Sequence, residues 1–236
     1  MRDDREEVAK ILLEKDKVDV NAGFGSFGAP IHIAVSKYKL NIIEKLIAKK
    51  VDVNKLDYKK QTPLHIIMDV FSRDSEHAEK ITKILVFNGA KLNLLDSEKL
   101  SPLHRAVIKK HSKAITLICE LNKKLGQRGK ETFDINLVGG EKKYTPIYYA
   151  LEKKSASTAE TLFLNGANVN IRAGHDYLPR EWNKREANVR KHILWKMERF
   201  SYEKKTNRIK YRSEDMNNPS TIKNVEGSNN CLNGFT

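Results

Sequence analysis

A short motif that joins a turn to the start of a helix recurs along the chain and constrains its fold more than any other feature. The clearest copy is Thr62-Pro63-Leu64-His65. A threonine hydroxyl caps a helix well, and proline suits the first helical position because its φ is fixed and its missing N–H is not needed there. Further copies are Ala29-Pro30-Ile31-His32, Ser101-Pro102-Leu103-His104, Thr145-Pro146-Ile147-Tyr148 and, in degenerate form, Leu178-Pro179-Arg180-Glu181. The chain is therefore predicted to be a repeat protein.

The spacing of the motif gives the size of the repeat. Successive prolines of the motif are 33, 39, 44 and 33 residues apart, so two intervals show the bare period and two carry insertions. A second marker recurs with the same period. It is an asparagine at the end of a short run in which apolar and polar residues alternate. Its copies are Val18-Asp19-Val20-Asn21, Val51-Asp52-Val53-Asn54, Lys91-Leu92-Asn93, Phe133-Asp134-Ile135-Asn136 and Ala167-Asn168-Val169-Asn170. Two markers that agree on one period are hard to produce by chance.

With both markers in register, the chain resembles the ankyrin repeat family, whose unit is a β-turn followed by two helices with a Thr-Pro-Leu-His signature and a period of about 33 residues. The resemblance covers roughly residues 5–200 and implies an all-α solenoid of stacked helix-turn-helix units joined by β-turn or hairpin fingers. The expected segments are a partial unit at 5–28, units at 29–60, 61–96, 97–140 and 141–174, and a C-terminal capping unit at 175–200. Residues 201–236 have almost nothing to bury and are predicted to be a basic, disordered tail.

Departures from the repeat pattern predict local differences. Tyr38 and Lys50 stand where the family usually has glycine, which predicts strain in two turns. Six extra residues at 71–77 are expected to lengthen the helices of the second unit or to form a loop between them. The stretch from Leu125 to Thr132 is expected to be a flexible basic loop after the second helix of the third unit. For the partial first unit, a true cap and a truncated longer array both remain open.

Composition limits the class of protein. No apolar run approaches the ~18 residues that span a bilayer, and the N-terminus lacks the hydrophobic segment of a signal peptide, so we expect an intracellular, cytoplasmic protein, with the nucleus as the alternative. The two cysteines, Cys119 and Cys231, offer neither a disulfide framework nor a metal-binding spacing. The formal net charge is +14, but Arg180 to Arg212 contribute 12 Lys/Arg against 4 Asp/Glu. The repeats themselves are therefore only mildly basic.

Recurrent histidines and glycines do not predict chemistry. His32, His65 and His104 occupy one repeat position, but neighbouring packed helices lie about 8–10 Å apart, whereas zinc ligands must reach within about 2.1 Å of the metal. We therefore expect each imidazole to bond to its own turn and the adjacent turn, which joins consecutive fingers. The sequence has no phosphate-binding glycine loop, and a solenoid exterior offers no enclosed pocket. We expect no enzyme activity, no cofactor, no metal and no small-molecule substrate.

The family resemblance implies a binding surface. In ankyrin proteins the tips of the turns and the exposed positions of each first helix usually line a concave surface that holds a partner protein. Carried onto this chain, the tips are Tyr58, Lys59, Lys60, Glu98, Lys99, Lys142, Lys143 and Tyr144. The matching helix positions are Ser36, Lys37, Ile108, Lys109, Glu152 and Lys153. Tyrosine beside lysine offers aromatic anchors next to cations, although a merely solvated lysine-rich surface is the alternative. We expect a monomer that binds one partner protein.

Two other functions stay open. The last helix, about residues 188–200, carries an apolar stripe beside Arg190, Lys191, Lys196 and Arg199, which would suit nucleic acid, an acidic membrane surface or calmodulin. The same stripe would also cap the array. Short ankyrin arrays without other domains include inhibitors of Rel-type transcription factors, and this second alternative rests on the resemblance alone.

Overall fold

Repeated helix pairs make up the described part of the chain. A computed structural model describes residues 19–23, 25, 28–71, 75–129, 132–169 and 171, which all lie within Met1–Arg190, the first of two compact units of the chain. These residues contain eight α-helices and no strands: α1 (Pro30–Ser36), α2 (Leu40–Ala48), α3 (Pro63–Val70), α4 (Ser75–Phe87), α5 (Pro102–Ile108), α6 (Ser112–Gln127), α7 (Pro146–Glu152) and α8 (Ala156–Leu164). The all-α prediction is confirmed for them.

The first helix of each unit begins at the proline of the recurrent motif, as predicted, and the predicted hydroxyl cap forms at Thr62 and Ser101 but not at Thr145. The residue before each proline is extended, with ψ between 161° and 166°, and the proline occupies the first helical turn. These helices are only seven or eight residues long. Isolated helices of that length are unstable in water, so their stability must come from packing against neighbouring helices.

Most of the helices end in a turn that needs a left-handed residue. After α1, Tyr38 has a φ of 55°, its N–H donates to the Val35 carbonyl at 3.1 Å, and the Lys39 N–H donates to the Ala34 carbonyl at 2.9 Å. This pair of bonds is the Schellman motif, which satisfies the last carbonyls of a helix. The equivalent positions after other helices have positive φ at Lys50, Gly89, Lys110, Lys154 and Gly166. The prediction that Tyr38 and Lys50 occupy glycine-like positions is confirmed.

Like helices stack on like helices along the array. The first helices α1, α3, α5 and α7 contact one another in chain order, as do the second helices α2, α4, α6 and α8, and the two helices of each unit also contact each other. The side chains between them are fully buried and mostly aliphatic, among them Ile31, Ile43, Leu46, Leu64, Ile67, Ile81, Leu85, Ile115, Ile118 and Leu121. The core therefore runs along the stack, and each unit depends on its neighbour for burial.

Longer second helices accommodate the two insertions. Helix α4 has 13 residues and α6 has 16, whereas α2 and α8 have 9 each. The prediction of a loop from Leu125 is wrong for its first residues, because α6 continues to Gln127. Leu125 is buried and anchors the additional turn on the stack. The insertion at 71–77 likewise adds helix, since α4 already begins at Ser75.

Several sequence-based predictions fall outside the described residues. They are the helix of the partial first unit, the capping unit at 175–200, the tail at 201–236 and Cys231. The other cysteine, Cys119, is buried in α6, and burial raises the pKa of its thiol to about 11, so the thiolate is not formed at neutral pH. No helix of the described part is long and apolar enough to cross a membrane.

Candidate functional site

Three loops, called fingers here, lie between a second helix and the first helix of the following unit. Each finger is numbered after the unit whose first helix follows it. They are finger 2 (55–61), finger 3 (94–100) and finger 4 (137–144). In finger 2, Asp57 Oδ1 accepts hydrogen bonds from the backbone N–H groups of Lys59 at 2.8 Å and Gln61 at 2.7 Å. Asp96 accepts from the two equivalent N–H groups of finger 3 at 2.8 and 3.0 Å. Each aspartate therefore holds the turn of its own finger.

Finger 4 is built on a different pair of side chains. Gly140, with a φ of 74°, stands where the other fingers have Asp57 and Asp96, and a Cβ there would lie 2.0 Å from the Tyr149 hydroxyl. Tyr149 occupies the helix position that Arg105 has in the third unit, where the Arg105 Nε donates to Asp96 Oδ2 at 2.7 Å. The fourth unit has thus replaced an aspartate–arginine pair with a glycine–tyrosine pair.

Neighbouring fingers are hydrogen-bonded to each other through the backbone. The Ser97 N–H donates to the Lys59 carbonyl at 2.8 Å, and the Gly140 N–H donates to the Lys99 carbonyl at 2.8 Å. Because these bonds join backbone atoms, they hold neighbouring tips together independently of the side chains at the tips.

A row of buried histidines lies at the base of the fingers. His65 Nδ1 accepts from the Thr62 N–H at 3.1 Å and lies 2.8 Å from the Thr62 hydroxyl oxygen, while its Nε2 lies 3.1 Å from the Leu100 carbonyl of the next finger. A carbonyl can only accept, so Nε2 carries the hydrogen and the ring is neutral. His104 makes the same contacts, with its Nε2 3.1 Å from the Tyr144 carbonyl. The prediction that these histidines join consecutive fingers is confirmed.

His32 joins the first unit to the second, with its Nε2 3.1 Å from the Gln61 carbonyl. The environment of His65 and His104 disfavours their charged form. Burial lowers the pKa of His65, and it lowers the pKa of His104 to about 4. If Nδ1 were protonated as well, it would become a donor and would face the backbone N–H that now donates to it, which also disfavours the charged ring. The described residues contain no group of three or more side chains placed to hold a metal ion.

The fourth unit has Tyr148 at the histidine position, and this leaves the buried Thr145 hydroxyl without a hydrogen-bond partner among the described residues. We expect Thr145→Val to raise the free energy of unfolding by about 1 kcal/mol, because a methyl group replaces an unpaired buried hydroxyl. Thr62→Val is the matched control and should lower it by about 1–2 kcal/mol, since the Thr62 hydroxyl bonds His65. Urea unfolding followed by circular dichroism measures both. A Thr145→Val variant that is less stable than the unaltered chain would show that the Thr145 hydroxyl has a hydrogen-bond partner.

The marker asparagines form a second ladder between units. Asn54 Oδ1 accepts from the Lys91 N–H at 2.7 Å, two positions before the next marker, Asn93. The equivalent bonds run from the N–H groups of Asp52 to Asn21 at 2.8 Å, of Asp134 to Asn93 at 3.1 Å and of Asn168 to Asn136 at 2.7 Å. The two sequence markers share a period because each one bonds a unit to its neighbour.

The structure exposes most of the predicted tip residues. Those exposed are Tyr58, Lys59, Lys60, Glu98, Lys99, Lys142 and Lys143, and Tyr58 is 61% exposed. Tyr144 is half-buried because its ring packs 5.5 Å from the rings of Tyr148 and Tyr149. Among the helix positions, Lys37, Lys109 and Lys153 are exposed, and Ser36, Ile108 and Glu152 are half-buried. Arg190, Lys191, Lys196 and Arg199 lie outside the described residues.

An apolar row on the fingers is missing from the sequence-based prediction. Leu56, Leu95 and Val138 each follow a marker asparagine by two positions, and their side chains are 46%, 40% and 40% exposed. The signal is an aliphatic residue at the same offset in three successive units. It is easily overlooked, because aliphatic residues that precede the asparagines, such as Val51, Val53 and Leu92, are buried.

Three carboxylates of this surface, Asp96, Glu98 and Glu152, are engaged by cations of the same chain, whereas Glu141 of finger 4 is exposed. The Arg105 Nη2 donates to Glu98 Oε1 at 2.8 Å, and its Nη1 lies 3.8 Å from Asp69 Oδ2. Burial alone lowers the pKa of Arg105, but the hydrogen bonds to Asp96 and Glu98 and the charge of Asp69 outweigh it, and the pKa is raised. On the fourth unit, Lys142 is paired with Glu152.

Comparison with known proteins shows what the described architecture is similar to. A family model for ankyrin repeats matches residues 68–173 in three copies. The probable 26S proteasome regulatory subunit p28 of Saccharomyces cerevisiae is 28% identical over 135 residues, which cover 56% of this chain and 52% of that protein. The chain thus spans about half the length of that curated relative.

A solved structure gives the same fold over more of the chain. The crystal structure of the ankyrin repeat domain of Bcl-3, described as a unique member of the IkappaB protein family, matches with a TM-score of 0.68. The match covers 83% of this chain and 82% of that chain at 20% sequence identity, so it shows the fold alone.

Proposed function

Because the chain belongs to the ankyrin repeat family, we propose that it is a protein-binding module that holds its partner on the finger surface. The finger surface is defined as the exposed side chains of fingers 2–4 and of helices α1, α3, α5 and α7. The observation that carries the proposal is the row of Leu56, Leu95 and Val138, which places an exposed aliphatic side chain at the same position of three successive fingers. Exposed apolar side chains that recur at one position of neighbouring units are a candidate interaction site, since exposed apolar patches mark such sites.

The construction of the fingers favours binding without rearrangement. Aspartate side chains hold two of the turns, and backbone bonds from Ser97 and Gly140 join the tips. A surface that is already ordered loses little conformational entropy when a partner docks. Tyr58, two residues after Leu56, adds an exposed aromatic side chain to finger 2, and Lys59 Nζ lies 5.4 Å from the centre of its ring.

The proposal is tested with a triple variant of the apolar row. Leu56→Ser, Leu95→Ser and Val138→Ser together are expected to reduce recovery of the partner roughly tenfold or more, since exposed aliphatic anchors lose their burial at the interface. Affinity-tagged full-length protein is used to recover partners from cells, which are identified and quantified by mass spectrometry. Circular dichroism confirms that the variant is folded.

The matched control carries the same type of change on the second helices. Phe87→Ser and Leu164→Ser remove side chains that are 41% and 44% exposed on α4 and α8. This control should recover partners as the unaltered chain does. Equal recovery by the finger variant would show that the finger surface is not the binding site.

The comparisons suggest where to look first among recovered proteins. The yeast relative is named a probable 26S proteasome regulatory subunit, so subunits of the 26S proteasome are the first candidates that we propose. The likeness to the Bcl-3 domain shows the fold alone and does not favour a Rel-type transcription factor over other partners. Binding of polyanions through Arg190, Lys191, Lys196 and Arg199 stays a prediction from the sequence.

A further inference from the structure

We infer that the partner on the finger surface is an extended acidic segment of a protein, laid along the row of fingers with its carboxylates on Lys60, Lys99 and Lys143. This inference rests on the proposed function and specifies the chemistry of the partner. Three observations carry it: the unbalanced charge of the finger tips, the backbone conformation of the three lysines, and their repeat along the stack.

The first observation is the charge that the chain leaves uncompensated. Asp96 and Glu98 are paired with Arg105, and Glu152 is paired with Lys142. No carboxylate of the described residues forms an ion pair with the exposed side chains of Lys60, Lys99 or Lys143. The positive charge of the tips is therefore available to a partner of the opposite sign.

The second observation is that these lysines occupy positions where glycine would be less strained. Their φ values are 53°, 59° and 50° for Lys60, Lys99 and Lys143. Left-handed backbone costs a residue with a side chain more than it costs glycine. Because the three lysines share this conformation at the same finger position, their side chains leave the backbone in equivalent directions along the stack.

The third observation is the distance between equivalent sites. Packed helices of neighbouring units lie about 8–10 Å apart, and a segment extended as polyproline II advances about 3.1 Å per residue with three residues per turn. One unit of the stack therefore corresponds to about three residues of such a segment, and every third side chain lies on the same face. A segment in this conformation with an acidic side chain at every third position would place one carboxylate on each finger lysine.

The apolar row favours a protein over a nucleic acid. Leu56, Leu95 and Val138 lie on the same fingers as the lysines and are about half exposed. A protein segment can bury aliphatic or aromatic side chains against this row, whereas nucleic acids bind through phosphates and through bases that stack on aromatic rings. Of the tip residues, Tyr58 is the aromatic side chain that is largely exposed.

The test uses two synthetic peptides and one oligonucleotide as probes, each labelled with a fluorophore. Both peptides are about 12 residues long, enough to span the three fingers in extended form, and have the same composition of glutamate, leucine and serine. One has glutamate at every third position, and the other has its glutamates grouped at one end. The oligonucleotide is single-stranded DNA of equal charge. Fluorescence anisotropy with the full-length chain measures each dissociation constant.

Two triple variants separate the finger lysines from the general charge. The finger variant carries Lys60→Gly, Lys99→Gly and Lys143→Gly, and the control carries Lys50→Gly, Lys110→Gly and Lys154→Gly. All six positions have positive φ, so glycine fits the backbone at each, and both variants lose the same charge. The control positions follow helices rather than lying in fingers. Any change in stability is therefore expected to be similar in the two variants, so a difference in peptide affinity reports the finger lysines.

We expect the regularly spaced peptide to bind the unaltered chain more tightly than the grouped peptide and the DNA. Its affinity should fall about tenfold in the finger variant and stay within about twofold in the control, as expected for three exposed charge contacts. Equal affinity of the two peptides, tighter binding of the DNA, or the same loss in both variants would overturn the inference, as would the absence of peptide binding.

The outcome is distinguishable from failure of the proposed function. A cellular partner that is lost by the Leu56, Leu95 and Val138 variant but retained by the finger lysine variant would support the finger surface and refute the acidic class of partner. A partner retained by both variants would refute the proposed function itself.

Discussion

Lowering the pH from 7 to 5 is expected to reduce the free energy of unfolding by about 2 kcal/mol through His104 alone. The pKa of this histidine is 6.5 in the unfolded chain and about 4 in the folded chain, where burial outweighs the hydrogen bond to the Tyr144 carbonyl and the charge of Asp96. Below pH 6.5 the unfolded chain takes up a proton that the folded chain does not. Stability that is complete above pH 6.5 is therefore lost progressively as the pH falls to 4, by about 3 kcal/mol in all.

Comparison with a His104→Gln variant isolates this effect from the titration of carboxylates, which both proteins share. The variant is less stable at pH 7 because it loses the imidazole bonds to Ser101 and Tyr144. Its disadvantage should shrink by about 2 kcal/mol at pH 5. Urea denaturation at both pH values gives the four free energies of unfolding. A disadvantage that is the same at the two pH values would contradict the buried neutral state of His104.

Gly139→Ala is expected to lower the free energy of unfolding by about 2–3 kcal/mol, the upper part of the range for overpacking. A Cβ at this position would lie 2.7 Å from the Lys99 carbonyl oxygen and 2.9 Å from His104 Cε1. The carbonyl belongs to the backbone and accepts the bond that joins finger 3 to finger 4, so it cannot turn aside. Finger 4 would have to separate from finger 3, with loss of the Gly140 N–H bond.

Gly23→Ala is the matched control for this substitution. A Cβ on Gly23 meets no atom within 4 Å, and its φ lies outside the left-handed range, so its effect should stay within about 0.5 kcal/mol. Thermal and urea unfolding compare both variants with the unaltered chain. Hydrogen exchange at the amide of Tyr144, which bonds the Gly139 carbonyl at 3.0 Å, should accelerate in Gly139→Ala. A variant as stable as the control would contradict the close contact between the fingers.

The fold could be predicted because its signals are local and repeated. Thr62 and Pro63 specify a helix start within one turn of chain, and the same signal at a fixed period implies stacking. The role of His65 also followed from its place within that motif. In contrast, the extension of α6 to Gln127 depends on the burial of Leu125 against the stack, and composition alone favoured a loop there.

The binding surface was predictable only in part, since its chemistry depends on pairs of residues distant in sequence. The tips follow from the family pattern, and Tyr58 and its neighbouring lysines are exposed as expected. Which charges remain available depends on Arg105, a helix residue that pairs with Asp96 and Glu98. No local pattern shows that pairing.

The two ladders give the array a direction that helix packing alone would not. Each unit from the first to the third extends its histidine and its asparagine toward the backbone of the following unit. Removing the C-terminal unit of such a pair therefore exposes a histidine and an asparagine side chain to water, whereas removing the N-terminal unit exposes the backbone groups that they bonded. A unit moved to another place in the array would have to keep its histidine and asparagine toward its C-terminal neighbour.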